Sequence, residues 1–434
     1  MRKVLVSFLG RNRYIPCTYF FNNSSSDRVK DVFFIQEAVV KRCCTAWSPD
    51  DRIFIFLTRG AETLNWEGEN RLRQRLVQAG SSASVIPVRE IPEGFSEDEM
   101  WEIFHRVVSV IEDRDEIWFD ITHGFRSLPM LGMVLINYLK SIRNISIGDI
   151  LYGAFEALGT IPEVEKMPVE KREAPVISLK AFDNLQEWSL GADVFVRYGI
   201  SALVEKAIAN WIDPLLKSTR GHHELAGQLR GLQKSLHEVP GLLQTVRGVE
   251  IIAGDKIRKL CFQIETLKNT GKEYRALGPL LDKILEKLAP FNEKESDINN
   301  GFVAVRWCID HGMVQQGITL LQENMVSWLA NQGGLDYSVK DDRELAAQAF
   351  TIVARDLPDD KWKSLSRERK TESLVLQVIV RKYTDLAVMY VKLGSRRNDI
   401  NHGGYLPGAL SADKFEETLK ETLKSVQRVI GIVV

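Results

Sequence analysis

The chain is short of cysteine, of net charge and of long apolar runs, and each shortage removes a class of protein. Five cysteines stand in 434 residues, at Cys17, Cys43, Cys44, Cys261 and Cys308. Their number is odd and no C-x-x-C pair occurs, so buried free thiols in a reducing compartment are expected rather than a disulfide framework. The formal net charge is −1, so no global field draws in nucleic acid and any such binding must rest on a local basic patch. The most apolar segment, Leu128 to Leu139, is too short to span a bilayer. The opening MRKVLVSFLGRNRY has a basic start, but its apolar run stops after a few residues without a cleavage site. It reads as a strand, not a signal peptide, and a cytoplasmic protein is expected. No G-x-G-x-x-G follows the first strand, and no G-x-x-x-x-G-K-[ST] or G-x-S-x-G appears. Dinucleotide and triphosphate sites of the usual kinds, and a serine-hydrolase elbow, are therefore disfavoured. No repeat of fixed period is present. The adjacent His222 and His223 would point to different sides of a helix and have no cysteine partners, so no zinc site is expected there.

What is present describes a folded globular chain, 44% hydrophobic and 26% charged, longer than one hydrophobic core normally serves. The first third alternates strands with helix-length segments. Strands are expected at Lys3–Leu9, Arg52–Thr58, Ser84–Val88, Glu116–Ile121 and Asp149–Phe155. Helices are expected at Asp31–Lys41, Glu69–Ala79 and Ser96–Val110, the last with Ser96 as N-cap and Glu99 completing a capping box. Such alternation implies βαβ units and a mostly parallel sheet with helices on both faces. Thr160–Pro175 carries three prolines and no period, and reads as an excursion or linker. Beyond Val176–Leu179 nearly everything has helical spacing. The expected helices are Leu185–Trp211, Glu224–Leu236, Ile251–Leu267, Leu277–Leu288, Phe302–Leu329, Asp342–Val353, Leu374–Leu393 and Ala412–Ile430.

The first stretch with chemical content is DEIWFDITHGFRSLPMLGMVLINYL, Asp115 to Leu139. Glu116–Ile121 reads as a buried strand and Leu128–Leu139 as a helix apolar on nearly all sides, hence buried. Between them lie Asp120, Thr122, His123, Gly124 and Arg126. A strand feeding a helix through such a turn puts backbone N–H groups and a helix dipole at a strand's carboxyl end, where open α/β sheets bind anionic ligands. Thr122 and His123 can hydrogen-bond a ligand, Arg126 can neutralise phosphate or cap the following helix, and Asp120 can orient the turn or accept from a hydroxyl. The other strand ends contribute Ser7 to Tyr14 (Ser7, Phe8, Leu9, Gly10 and Tyr14 among them), with Thr58 and Arg59. The competing reading is an ordinary strand–turn–helix corner with a helix cap.

The second stretch is RRNDINHGG, Arg396 to Gly404, following a helix expected to end near Leu393. Arg397 and His402 lie about one and a half helical turns apart, near enough for both to face one phosphate. Arginine brings a permanent charge to a phosphodiester, and histidine can exchange a proton near neutral pH. That pair suits metal-free RNA cleavage by the ribose 2′-OH. Arg306 with His311 and Arg230 with His237 have comparable spacing. Asn398, Asp399, Asn401 and the Gly403-Gly404 end set Arg397 apart, since they suit a polar, exposed turn. The alternative is a helix end decorated with basic residues that favour its dipole.

Together the two stretches resemble a family. DITHGFRSLPM resembles the D-x-T-H-G signature of CRISPR-associated Rossmann-fold (CARF) proteins, and RNDINH resembles the R-x4–6-H motif of HEPN ribonucleases. VSFLG…Y and Trp307–Glu323 (WCIDHGMVQQGITLLQE) also resemble this subgroup. The resemblance implies an ancillary effector of type III CRISPR immunity. A Rossmann-like α/β CARF domain (1–178) would bind a cyclic oligoadenylate, a helical linker region (179–300) would follow, and an all-α HEPN domain (301–434) would cut single-stranded RNA without a metal or other cofactor. Carried over residue by residue, Thr122, His123, Gly124 and Ser7–Gly10 would line the messenger site. Arg397 and His402 would form the nuclease motif, with Asn398 the polar residue after its arginine; Arg396 to His402 also satisfies the gap.

The chemistry also asks for a homodimer. A 2′-OH attack needs a general base and a general acid, and the motif has one histidine per chain. A two-fold axis would supply the second and would suit a ring of an even number of nucleotides. The alternative function is a non-catalytic CARF-type sensor joined to a helical regulatory or nucleic-acid-binding module, in which RNDINH is only a helix end.

Overall fold

The computed structural model describes residues 1–21, 27–68, 71–123, 127–268, 276–291, 295–405 and 407–431. The chain divides into two compact units, Met1–Asp183 and Asn184–Val434.

The first unit is built on eight strands: β1 (Lys3–Phe8), β2 (Cys17–Phe21), β3 (Arg28–Val32), β4 (Arg52–Phe56), β5 (Ser84–Val88), β6 (Glu116–Asp120), β7 (Ser146–Gly153) and β8 (Glu173–Ser178). They form one sheet in the order β3-β2-β8-β7-β6-β1-β4-β5. Five neighbours, β5-β4-β1-β6-β7, run parallel. β8 turns antiparallel against β7, β2 runs parallel to β8, and β3 closes the edge antiparallel to β2. Alternate residues of β1 serve opposite faces. Leu5 packs with Ile35, Val39, Leu72 and Leu76 on one side; Val4 and Val6 pack with Ile103, Val107, Leu135 and Leu139 on the other. Helices thus cover both faces, as the alternation of elements requires.

Several local expectations are corrected. Asp31 belongs to β3 and has φ +55°, and the helix after it starts only at Ile35. The charged edge strand β3 hides its apolar face from pattern reading, as edge strands do. Ser96 caps helix Glu97–Val110 by accepting from Glu99 N–H (3.2 Å), while Glu99 Oε2 reaches back to Phe95 N–H (2.8 Å), one residue beyond the expected box. Of the two readings of Thr160–Pro175, excursion or linker, the excursion fits, since the segment leaves the sheet after β7 and re-enters it at β8. It holds the short helix Ile161–Glu165 and leads into β8, an interior strand whose Pro175 cannot donate to the ladder and so disguised it. Helix Leu128–Arg143 is not apolar-buried all round: Leu128, Leu135, Ile136 and Leu139 face the core, and Met130, Val134, Tyr138 and Ile142 are exposed.

The second unit is helical. Three expected helices are broken at glycines with positive φ, Ile251–Leu267 among them, where Gly254 (φ 74°) separates Gly248–Ala253 from Asp255–Lys268. Gly199 (φ 65°) separates Lys180–Tyr198 from Ala202–Ser218, and Gly312 (φ 68°) separates Asn299–Asp310 from Val314–Gln332. Leu374–Leu393 is likewise two helices, Lys370–Arg381 and Thr384–Asn401, and the second runs well past Leu393. Residues on both sides of 300, from Leu229 and Ile264 to Phe350 and Val426, belong to one apolar cluster. Among the described residues no helix is long and apolar enough to cross a membrane.

Candidate functional site

In the parallel part of the sheet, β1 lies between β4 and β6, and the chain departs from β1 in opposite directions. The carboxyl ends of β1 and β6 therefore flank the crevice where strand order reverses, the usual ligand position in such sheets. Ser7 and Asp120 are register partners at that point. Both are fully buried, and Ser7 Oγ donates to Asp120 Oδ2 at 2.7 Å. Asp120 Oδ1 accepts from Thr122 N–H (3.0 Å), and Thr122 Oγ1 accepts from Gly153 N–H (2.7 Å). One chain of hydrogen bonds thus ties the ends of β1, β6 and β7. Both carboxylate oxygens of Asp120 are thus engaged within the protein, one by the Ser7 hydroxyl and one by the turn backbone.

Gly10 and Tyr14 form the facing wall. The Gly10 N–H donates to the Tyr14 hydroxyl oxygen (3.0 Å), and the Gly10 carbonyl accepts from Asn65 Nδ2 (2.9 Å). A Cβ at Gly10 would stand 2.8 Å from the Tyr14 hydroxyl and 3.3 Å from the His123 ring, so the close approach requires glycine. Tyr14 meets His123 edge-on with ring centroids 5.1 Å apart. Burial pushes the Tyr14 hydroxyl well above its ordinary pKa. His123 Nε2 is buried and has no hydrogen-bond partner among the described residues. Burial pulls the ring's pKa down, and the Asp120 carboxylate pulls it up less strongly. Such a nitrogen is a costly thing to leave bare.

Not every residue expected here faces the crevice. The Thr58 hydroxyl accepts from Ala61 N–H (3.3 Å) as the N-cap of the short turn Arg59–Ala61. Phe8 and Leu9 are buried packing residues; the Phe8 carbonyl accepts from Gln36 Nε2, and Leu9 N–H donates to the Phe56 carbonyl. Gly124 and Arg126 lie outside the described residues. Asn65, which holds the backbone of Gly10 and of Asn12, escaped sequence reading because a lone asparagine inside the short helical segment Glu62–Trp66 carries no pattern.

In the helical unit, Arg396 to Asn401 are helical, and His402 caps the C-terminus with its N–H donating to the Asn398 carbonyl (3.0 Å). This corrects the expected polar turn, and Asp399 is buried, accepting from Leu410 N–H (3.0 Å). Arg397 Nη1 pairs with Glu323 Oε1 (2.9 Å), and Arg343 Nη2 pairs with the other oxygen of Glu323 (2.7 Å). Asn398 and His402 are exposed, four residues apart on one helix side. No hydrogen bond joins Arg397 to His402 among the described residues. Glu323 and Arg343 were not foreseen as site residues, though Glu323 ends the Trp307–Glu323 segment singled out above.

In the other pairs, both histidines and Arg230 are otherwise employed. His311 is half-buried, its Nδ1 2.7 Å from the Trp307 carbonyl oxygen and its Nε2 3.3 Å from that of Val196. Burial lowers its pKa. His237 faces Glu205 and Arg230 pairs with Asp213. His223 Nδ1 accepts from Ala226 N–H (3.2 Å) as a helix cap.

No protein-family model matches the chain. Enterococcus italicus Csm6 bound to cyclic hexa-2′-fluoro-hexa-dAMP superposes over 100% of this chain and 96% of its own, at a TM-score of 0.47 and 12% identity. That level of superposition does not by itself establish a shared fold. A CRISPR-associated protein of Methanocaldococcus jannaschii is 25% identical over 249 residues, 57% of this chain. The match spans 33% of that protein's length. In sequence, then, more than half of this chain is similar to part of a CRISPR-associated protein.

Proposed function

We propose that this chain is a CRISPR defence effector whose Rossmann-like first unit, of the CARF type, binds a cyclic oligoadenylate. Its helical unit would then cut single-stranded RNA as a metal-independent, HEPN-type endoribonuclease. The observation that carries the reading is the Ser7–Asp120–Thr122–Gly153 hydrogen-bond chain, which presents His123, with its bare Nε2, at the strand-order reversal. The similarity to a CRISPR-associated protein supports it. Thr122, His123 and the Gly10–Tyr14 wall would contact ribose and phosphate, and the sequence motif adds Gly124 and Arg126 as proposed ligand contacts.

In the helical unit the ribose 2′-OH would attack the adjacent phosphorus, and the 5′-oxygen would leave with a proton. Arg397 would neutralise the charge building on the phosphoryl oxygens, and His402 would transfer a proton. Glu323 engages Nη1 of Arg397, leaving Nε and Nη2 to meet phosphate. A second acid–base group would come from His402 of another copy in a homodimer.

The test is RNA degradation in EDTA, with and without synthetic rings of different size. Ring-stimulated cleavage to 2′,3′-cyclic phosphate ends is expected, abolished by His402→Ala and desensitised to the ring by His123→Ala. One observation favours a non-catalytic sensor instead: His402 stands exposed with no bond to Arg397. Ring binding without any RNA cleavage would establish that alternative.

A further inference from the structure

A cavity of about 430 Å³ opens in the helical unit beside helix Thr384–Asn401. Glu344, Thr351, Arg355, Lys361, Lys363 and Tyr390 line it, and its volume falls in the range of small-ligand sites. Arg355, Lys361 and Lys363 are exposed, and none has a carboxylate partner among the described residues. Two neighbouring carboxylates are engaged elsewhere, Asp356 with Arg381 and Asp359 with Lys370, and exposed Asp360 is not among the residues that line the cavity. Three cations therefore face a single lining carboxylate, Glu344, which already accepts from Gln348 Nε2 (3.0 Å). An anion with a flat, partly apolar body suits such a lining.

Tyr390 joins this cavity to the Arg397 cluster. It is half-buried and stacks on Phe350 with centroids 4.8 Å apart and planes 18° apart. Burial pushes the pKa of its hydroxyl up, with Glu323 adding to the rise and Arg397 and Arg343 opposing it. Tyr390 and Arg397 are seven residues apart on one helix, which puts them on the same face, separated by roughly 10 Å along the axis. That is the reach of one or two nucleotides of an extended strand.

Building on the nuclease reading above, we propose that this cavity is a substrate subsite. It would seat one base of a single-stranded RNA against Tyr390, with Arg355, Lys361 and Lys363 tracking the backbone toward Arg397. Stacking on an aromatic ring beside a cationic groove is the general way single strands are held without strict sequence readout. The motif residues Arg397 and His402 would then act on a phosphate next to an anchored nucleotide.

The experiment measures binding of a labelled single-stranded RNA by fluorescence anisotropy, in a His402→Ala background that should not consume it. Two variants are compared: Thr351→Trp, which fills the cavity, and the double reversal Lys361→Glu/Lys363→Glu on the exposed rim. Thr351→Trp should weaken binding roughly 5-fold or more, the scale of one lost base stack, with the salt dependence unchanged. The reversal should weaken binding and also flatten its dependence on salt by roughly one to two phosphate contacts. Because the reversal touches only exposed side chains, it keeps the test valid if Thr351→Trp does not fold. Unchanged RNA affinity in folded reversal protein overturns the subsite while leaving the nuclease reading intact. Absence of RNA binding by the parent protein overturns both. Loss of adenosine monophosphate binding with RNA binding preserved would make the cavity a mononucleotide site and reject the RNA assignment.

Discussion

At Gly10 a single methyl group decides the shape of the crevice. Gly10→Ala would press a carbon to within 2.8 Å of the Tyr14 hydroxyl, displacing the ring that meets His123 edge-on. Ring-ligand affinity measured by titration calorimetry should fall at least ten-fold, on the scale of one lost charged hydrogen bond. His123 carries a second, pH-dependent prediction. Burial holds its folded pKa below the ordinary value, so the unfolded chain takes up the proton first as pH falls. Stability is then lost as pH drops below about 6.5 toward the lower folded value. His311 contributes in the same direction from the helical unit. Thermal unfolding of wild type between pH 7.5 and 5 should show this decline, and His123→Gln should flatten it in part. An identical pH slope in the two proteins would mean that His123 is hydrated. At this scale the sequence was readable for Asp120, Thr122 and His123, because polar residues between a buried strand and an apolar helix are conspicuous. It was unreadable for Asn65 and Glu323, whose roles arise from partners 55 and 74 residues away.

At the scale of elements, helix Val314–Gln332 lends Glu323 to helix Thr384–Asn401. The carboxylate bridges Arg343 and Arg397, and all three are partly exposed. Exposed ion pairs contribute only ~0–1 kcal/mol each, so Glu323→Gln should cost little stability. It should nonetheless lower kcat for RNA cleavage, with KM nearly unchanged, because an arginine freed on one side loses its aim at the phosphate. Asp would hold the charge but shorten the reach, so Glu323→Asp should recover only part of the rate. A Glu323→Gln enzyme as fast as wild type would remove Glu323 from the positioning of Arg397. Helical periodicity alone foretold most helices here, but not the breaks at Gly199, Gly254 and Gly312. Gly199 and Gly312 look like tolerated helix glycines until their positive φ is seen.

For the whole molecule, the chain divides into two compact units, and in the proposed function the messenger would act on one while cleavage would occur on the other. A ligand can activate only by binding the active arrangement more tightly than the resting one. Ordinary coupling of ~1–3 kcal/mol corresponds to activation of roughly 5- to 150-fold. Cleavage rate should therefore rise with cyclic oligoadenylate even at protein concentrations well above the dissociation constant of the proposed dimer. A flat response there, with stimulation only at low protein concentration, would reduce the first unit to a dimerisation device.

The alternation of apolar strands and amphipathic segments was enough to determine the α/β character of the first unit, because strands buried on both faces read as short continuous apolar runs between amphipathic helices. The helical character of the remainder was determined in the same way, by apolar spacing of three and four. Local polarity also marked both candidate stretches. Only tertiary structure decided that Thr160–Ser178 returns into the sheet, since Pro175 contradicts strand propensity and is accommodated by its neighbours. It also decided that Ser7 and Asp120, far apart in the chain, share a buried hydrogen bond, and that Arg397 turns to Glu323 while His402 faces solvent. Strand order and helix packing set those distances, and neither is written in the spacing of residues along one element.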